Sequence, residues 1–321
     1  MMASITVRGL LLVSVASAIV SSQPPLAFGQ VPAEATPEAI ETSSVGRFEN
    51  YLFRDADGRP LPFQTDEAIE HYLATAEVAS MTKIPVGVSD PKKLLLAGEG
   101  LRVNAVFKDI DQNESKVRDT TAGKTKFYLH WRDWFGYDIA AYRLDRLLEL
   151  NRVPPVIERT IKRNTGSVQI WLQGVITDTM RRDEGYDPPN IGRHNQQKEI
   201  MHVFDNLVAN RDSNLGNTLI DANWRLWFID CSRCFGASTD LLYPEAINHC
   251  ERNLFEALKA LDEQGVEDRL SPYLSGREIK ALLIRRDKIV AHVQTLIDEF
   301  EEIHILFDTI AADELAPWAK D

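Results

Sequence analysis

Between Asn210 and Phe235 the chain reads NRDSNLGNTLIDANWRLWFIDCSRCF, and three of its side chains could carry out phosphoryl transfer. Asp212 is a carboxylate that could stand near an attacking hydroxyl and take its proton. Asn217, five positions on, and Asp230, at the end of an apolar run, are the oxygen donors that hold a divalent ion against nucleotide phosphates. Asp and Asn are ordinary turn residues, so D-x-x-x-x-N alone is a weak signal. The segment between Asn217 and Asp230 strengthens it: TLI, a turn at DAN, then RLWFID, alternating and then continuously apolar, predict a short β-hairpin. No His or Cys occupies a position suited to a covalent phospho-enzyme, so direct in-line transfer is the simpler chemistry.

Other elements must place these groups. Lys198 to Ala209 is amphipathic, with Ile200, Met201, Val203, Phe204, Leu207 and Val208 on one face, and delivers the chain to Asp212. Upstream, a helix is predicted from Thr65-Asp66, followed by three antiparallel strands ending in VNAVFK. Lys108 closes the third strand. A strand lysine is ordinarily solvated, but from here it could steady nucleotide phosphates. The first turn, Gly87 to Pro91 with Ser89 within it, could cover those phosphates, although it is no full G-x-G-x-x-G loop. Residues 112–135 are expected as an ordered loop. The helix Tyr137 to Leu150 carries Asp138 in its first turn, either an ordinary dipole-compensating acid or the partner of Lys108. Two further strands around Thr165-Gly166 complete a five-stranded lobe, with a hinge at Leu172 to Val175. Residues 177–196 read as a loop, and helices are expected at about 245–263 and 276–302.

The 321 residues, 44% hydrophobic and 26% charged, suit one two-lobed domain, and a net charge of −12 leaves no basic footprint for nucleic acid. Residues 1–29 read as an export signal, with Arg8, an apolar run from Leu10 to Val20 and small residues at Ala27-Phe28-Gly29. That run is short for a membrane span and interrupted by serines, so cleavage is expected over anchorage. Residues 30–62 are expected as a mobile linker from which Phe48, Tyr51, Leu52 and Phe53 could dock, 63–173 as a small nucleotide-binding lobe, 174–312 as a large catalytic lobe and 313–321 as a fraying tail. An exported location follows: secreted, periplasmic or in the secretory-pathway lumen, with no stable membrane span after cleavage.

The three cysteines admit several readings. Cys231 and Cys234 form a C-x-x-C, which could be a redox motif or, with His249 and Cys250, a zinc site. Adjacent His-Cys ligands are awkward on a helix. The simplest expectation is Cys250 on an apolar helix face, in the core or disulfide-bonded to Cys231 or Cys234.

DIAAYRLDRLLELNRVPPVIERTI, VFDNLVANRDSNLGNT and LWFIDCSRCFG together resemble the secretory-pathway kinases of the Golgi casein kinase type, and their relatives, the bacterial persistence-toxin kinases and phosphatidylinositol kinases. The resemblance covers roughly residues 66 to 300. It implies an α+β, bilobal, atypical protein-kinase-like fold, with a small antiparallel-sheet lobe carrying one helix and a mainly helical large lobe. It also implies ATP and a divalent metal, Mg or Mn. On it, Lys108 matches the phosphate lysine, Asp138 the helix acid, Asp212 the catalytic-loop Asp, Asn217 a metal-assisting position and Asp230 the metal Asp. Two departures stand out: Asp138 where most members carry Glu, and Cys231-Ser232-Arg233 in place of a DNGRG-like or DFG continuation. The function implied is an exported kinase acting on a hydroxyl acceptor, protein Ser/Thr or sugar. A kinase-like pseudoenzyme and a secreted C-x-x-C thiol or metal protein are the alternatives.

Overall fold

A computed structural model describes residues 53–85, 90–121, 124–311 and 315–319. Thr65 caps the first helix, α1 (Asp66–Thr75), its hydroxyl accepting from the Ala68 amide, and Ile69, Tyr72 and Leu73 turn into the core. Strands β1 (Glu77–Lys83), β2 (Lys92–Gly98) and β3 (Leu101–Lys108) follow as a meander. Alternation sets the inner face: Leu94 and Leu96 of β2 and Val103, Ala105 and Phe107 of β3 are buried. The β2–β3 turn places Glu99 and Gly100 at φ 51° and 75°, the left-handed pair that a tight hairpin demands.

Residues expected as a loop instead form a hairpin, β4 (Asp111–Thr121) with β5 (Lys124–Trp134). Ladder hydrogen bonds join backbone to backbone, so the polar strand β4 can pair with the aromatic-bearing β5 without itself carrying an apolar pattern. Helix α2 (Phe135–Leu147) then begins two residues earlier than expected and buries Ala140 and Leu144. Next come β6 (Val156–Ile161) and β7 (Asn164–Ile170), whose turn lies at Lys162-Arg163, both left-handed, rather than at Thr165-Gly166. The small lobe is an antiparallel sheet in the order β1-β2-β3-β7-β6, five strands as expected.

After Leu172, the large lobe opens with β8 (Ile176–Thr177). The segment read as a loop holds α3 (Asp178–Asp183), capped by Thr177, and the first turns of α4 (Ile191–Val208), capped by Asn190. Strands β9 (Thr218–Ile220) and β10 (Leu226–Phe228) make the predicted hairpin and join β8 in a three-stranded sheet. The helix expected near 245–263 divides in two. Cys250 and Glu251 form β11 (Cys250–Glu251), paired with β12 (Leu306–Phe307). Glu251 then caps α5 (Arg252–Ala260), and Asp262 caps α6 (Glu263–Leu270). A capping box at Ser275 starts α7 (Gly276–Phe300), and the short α8 (Glu302–Ile305) leads into β12.

Two apolar cores result. One lies between α1 and the five-stranded sheet, and Trp227 of β10 reaches into it; the other lies beneath α2, α4 and α7. Phe53 is buried edge-on against Trp227. At the other end, Ala316 is fully buried and Trp318 packs on Trp224, so the described part of the expected tail docks rather than frays. Among the described residues no helix is long and apolar enough to cross a membrane.

Candidate functional site

Lys108, Asp138 and Asp230 converge at the junction of the lobes. The Lys108 ammonium donates to Asp138 Oδ2 at 3.0 Å and to Asp230 Oδ1 at 2.7 Å. Each arrives from a different element. Lys108 ends β3, and β7 passes close beside it: a Cβ on Gly166 would sit 2.2 Å from the Lys108 carbonyl oxygen, so only glycine permits that approach. Asp138 is in the first turn of α2. A Cβ on the preceding Gly136 would meet the Trp134 indole at 2.6 Å, so the start of this helix also depends on a missing side chain. Asp230 follows β10 with φ +64°, a left-handed conformation that Asp tolerates better than most residues. Such backbone strain is concentrated at functional sites.

Electrostatics follow from this geometry. Burial by itself would lower the Lys108 pKa, but Asp138 and then Asp230 outweigh it and hold the ammonium above its ordinary value. Burial pushes the Asp138 carboxyl up, with Lys108 pulling against it. For Asp230, burial is outweighed by Lys108, with Arg233 adding to it, and the carboxyl is held below its ordinary value. The two carboxylates thus favour the charged ammonium, and Asp230 is the more acidic of the pair.

Asp212 and Asn217 form the second group. Helix α4 ends at Ala209, left-handed at φ 51°, and the chain turns through Asn210. Asn210 ties the turn together: its Nδ2 donates to Asp205 at 2.8 Å, and its Oδ1 accepts from the Asp212 amide at 3.0 Å. Asp205 also accepts from the Ser213 hydroxyl, and burial pushes its carboxyl up to about 6. Asn217 Nδ2 donates to the Asp212 carbonyl at 3.0 Å, while the Asn217 carbonyl accepts from the Ile229 amide at 3.2 Å. That last bond sets Asn217 beside the residue preceding Asp230. Burial raises the Asp212 carboxyl, and Arg233 opposes the rise.

The donor chemistry fits a hard divalent ion. Asn217 spends its amide nitrogen on the loop, which leaves its side-chain oxygen as an acceptor, and Asp230 gives only one oxygen to Lys108. Among the described residues no three His, Cys, Asp or Glu side chains gather around one point. An ion held here would take its remaining positions from phosphate oxygens and water, as Mg and Mn do at nucleotide sites. Gly87 and Ser89 lie outside the described residues.

Sequence reasoning gave no role to four residues: Asp133, Asp205, Asn210 and Arg233. Arg233 Nε donates to Asp133 Oδ2 at 2.8 Å, and its Nη1 donates to Asp212 Oδ2 at 3.1 Å. A cation three positions after Asp230, inside the C-x-x-C, was the available signal. The cysteines follow the expectation in part. Cys250 is core, as expected, but lies in β11 rather than on a helix face, and it is a free thiol because Cys231 and Cys234 are disulfide-bonded to each other. Burial pushes that thiol up to about 12, so it is inert core. A groove of about 400 Å³ lined by Asn248, His249, Leu296, Phe300, His304 and Ile305 lies elsewhere on the large lobe and contains none of these groups.

The fold is atypical kinase-like. Hydra Fam20, solved with sugar, aligns with a TM-score of 0.57 at 15% identity, over 84% of this chain and 99% of its own. The Golgi casein kinase with Mn and ADP bound aligns at 0.55 and 15% identity, over 83% and 84%, and a further Golgi casein kinase structure at 0.53 and 15%, over 76% and 80%. Identity this low speaks for the fold and not for the substrate. No family model matches the chain, and no curated protein matches it in sequence.

Proposed function

We propose that this protein is an exported ATP-dependent kinase that transfers a phosphoryl group to a hydroxyl of a protein or sugar acceptor. The observation that carries the reading is the Lys108 ammonium held between Asp138 and Asp230, with the Asp212–Asn217 loop anchored alongside. A fold shared with kinases, one of them solved with Mn and ADP, agrees with it. In this reading Asn217 and Asp230 hold the divalent ion, Mg or Mn, which when bound would neutralise charge on the phosphates. Lys108 steadies the phosphates while Asp138 holds the lysine and ties it to α2. Asp212 orients the acceptor hydroxyl and takes its proton. Gly87 and Ser89 contribute to nucleotide binding. Residues 1–29 direct export and are removed.

Thermal shift tests the core of this reading. ATP should raise Tm only when Mn²⁺ or Mg²⁺ is present, since a ligand that binds the folded state alone stabilises it. Asp230→Ala should abolish that increment, and an undiminished metal-dependent increment in the variant would refute the assignment. Labelled ATP with dephosphorylated casein and with free monosaccharides then separates protein from sugar acceptors, and a wild-type protein that binds ATP with metal but transfers to nothing is the pseudoenzyme.

A further inference from the structure

The loop after Asp230 is attached to the start of α2 by three bonds. The Cys231 amide donates to Asp138 Oδ1 at 2.8 Å, the Trp134 amide donates to the Ser232 carbonyl at 2.8 Å, and Arg233 Nε donates to Asp133 Oδ2 at 2.8 Å. The Cys231–Cys234 disulfide closes the same four residues into a ring, with Arg233 inside it. Asp133 is 1% exposed and Arg233 is largely buried, so both partners of that ion pair are held within the protein. From this fixed base the other end of the guanidinium reaches Asp212 Oδ2 at 3.1 Å. Asp212 Oδ1 has only a long contact, 3.3 Å from Asn214 Nδ2.

We infer that Arg233 is a positioning residue: braced by Asp133 and the disulfide-closed loop, it pins one oxygen of Asp212 and leaves Oδ1 as the oxygen that meets the acceptor. A planar guanidinium suits the task because its fork can bind one carboxylate through Nε and another through Nη1. Lysine offers the charge without the fork. The consequence is that the orientation of the base is tied to the seat of α2, the helix that also carries the partner of Lys108.

Two measurements test this, one of them independent of catalysis. In hydrogen exchange, Arg233→Gln should speed exchange across residues 210–217 by roughly tenfold, about 1.4 kcal/mol of local protection, with Arg233→Lys between variant and wild type. Unchanged exchange in Arg233→Gln would overturn the inference, whatever the protein catalyses. The kinetic arm rests on the kinase reading. Arg233→Gln should lower kcat about tenfold or more while KM for ATP stays within about twofold, with partial recovery in Arg233→Lys. Equal loss of kcat and of ATP-dependent thermal stabilisation would mean that Arg233 merely supports the fold, and would also overturn it. Faster loop exchange in a protein whose wild type turns over no ATP would sustain the positioning role and remove the kinase reading, so the two failures are distinguishable.

Discussion

Replacing Lys108 by Met tests the ion cluster without requiring any activity. Met fills nearly the same volume, so packing around β3 and α2 is kept, and what is lost is a cation 9% exposed between two carboxylates. Asp138, 4% exposed, would keep only the Cys231 amide as a partner and would face Asp230 with no charge between them. Removing one partner of a buried pair costs ~3–5 kcal/mol, and the lower end applies because Asp230 is one-third exposed to water (33%). About 3 kcal/mol in a chain of this size lowers Tm by roughly 4–6 °C.

The loss must depend on pH, and its sign is fixed. Without Lys108, burial and Asp230 both raise the Asp138 pKa above its unfolded value, so the folded variant binds a proton that the unfolded chain releases. The penalty is therefore largest at pH 8 and shrinks as pH falls through the raised value toward 5. Pairing Lys108→Met with Asp138→Asn removes the stranded charge while keeping an oxygen for the Cys231 amide, and should recover most of the lost Tm. Differential scanning calorimetry at pH 5 and 8 on the two single variants and the double variant decides the matter. A Lys108→Met deficit that does not change with pH, or a double variant whose losses simply add, would refute the buried cluster.

Asp212→Asn should leave the metal-dependent ATP thermal shift intact and lower phosphoryl transfer by ~10²-fold or more, measured in single turnovers with whichever acceptor is accepted. His194 in α4 is buried with neither ring nitrogen hydrogen-bonded, and burial, helped by Lys198, lowers its pKa to about 4 from the ordinary 6.5. Stability is thus lost as pH falls from 6.5 through 4, and His194→Leu should remove ~2 kcal/mol of the difference between melts at pH 7 and pH 4.5. Asp138→Glu, the change toward the commoner residue, adds a methylene to a filled site and should cost ~1–3 kcal/mol, read as a lower Tm than wild type.

Much of the site was legible in the chain because its signals are local. Asp212, Asn217 and Asp230 are fixed by their spacing across one short hairpin, and β9 and β10 form where alternation and the DAN turn put them. Lys108 could be placed at a strand end because Val103, Ala105 and Phe107 alternate into the core. The hairpin at 111–134 was missed because its pairing is a backbone matter, and α3 because so short a helix depends on the Thr177 cap and the Asp178–Arg181 pair rather than on an apolar stripe. Arg233 joins residues 100 and 21 positions away, Asp133 and Asp212. No window of sequence contains that triangle. Docking of Trp318 on Trp224 is likewise a long-range contact that composition alone reads as a loose end.

The two departures from the kinase pattern are connected in the structure. An aspartate in place of glutamate is shorter by one methylene, which would require α2 nearer to Lys108 or a water between them. Here the contact is direct at 3.0 Å, so α2 lies close enough for the shorter acid to reach. What holds it there is the unusual Cys231-Ser232-Arg233 sequence: the Cys231 amide on the second Asp138 oxygen, the Ser232 carbonyl on the Trp134 amide, and Arg233 on Asp133. The disulfide ring lowers the entropy lost when the loop adopts this shape, which makes a three-point seat easier to hold. Short acid and stitched loop thus meet at one group, the Asp138 carboxylate, which takes the ammonium on one oxygen and the loop on the other.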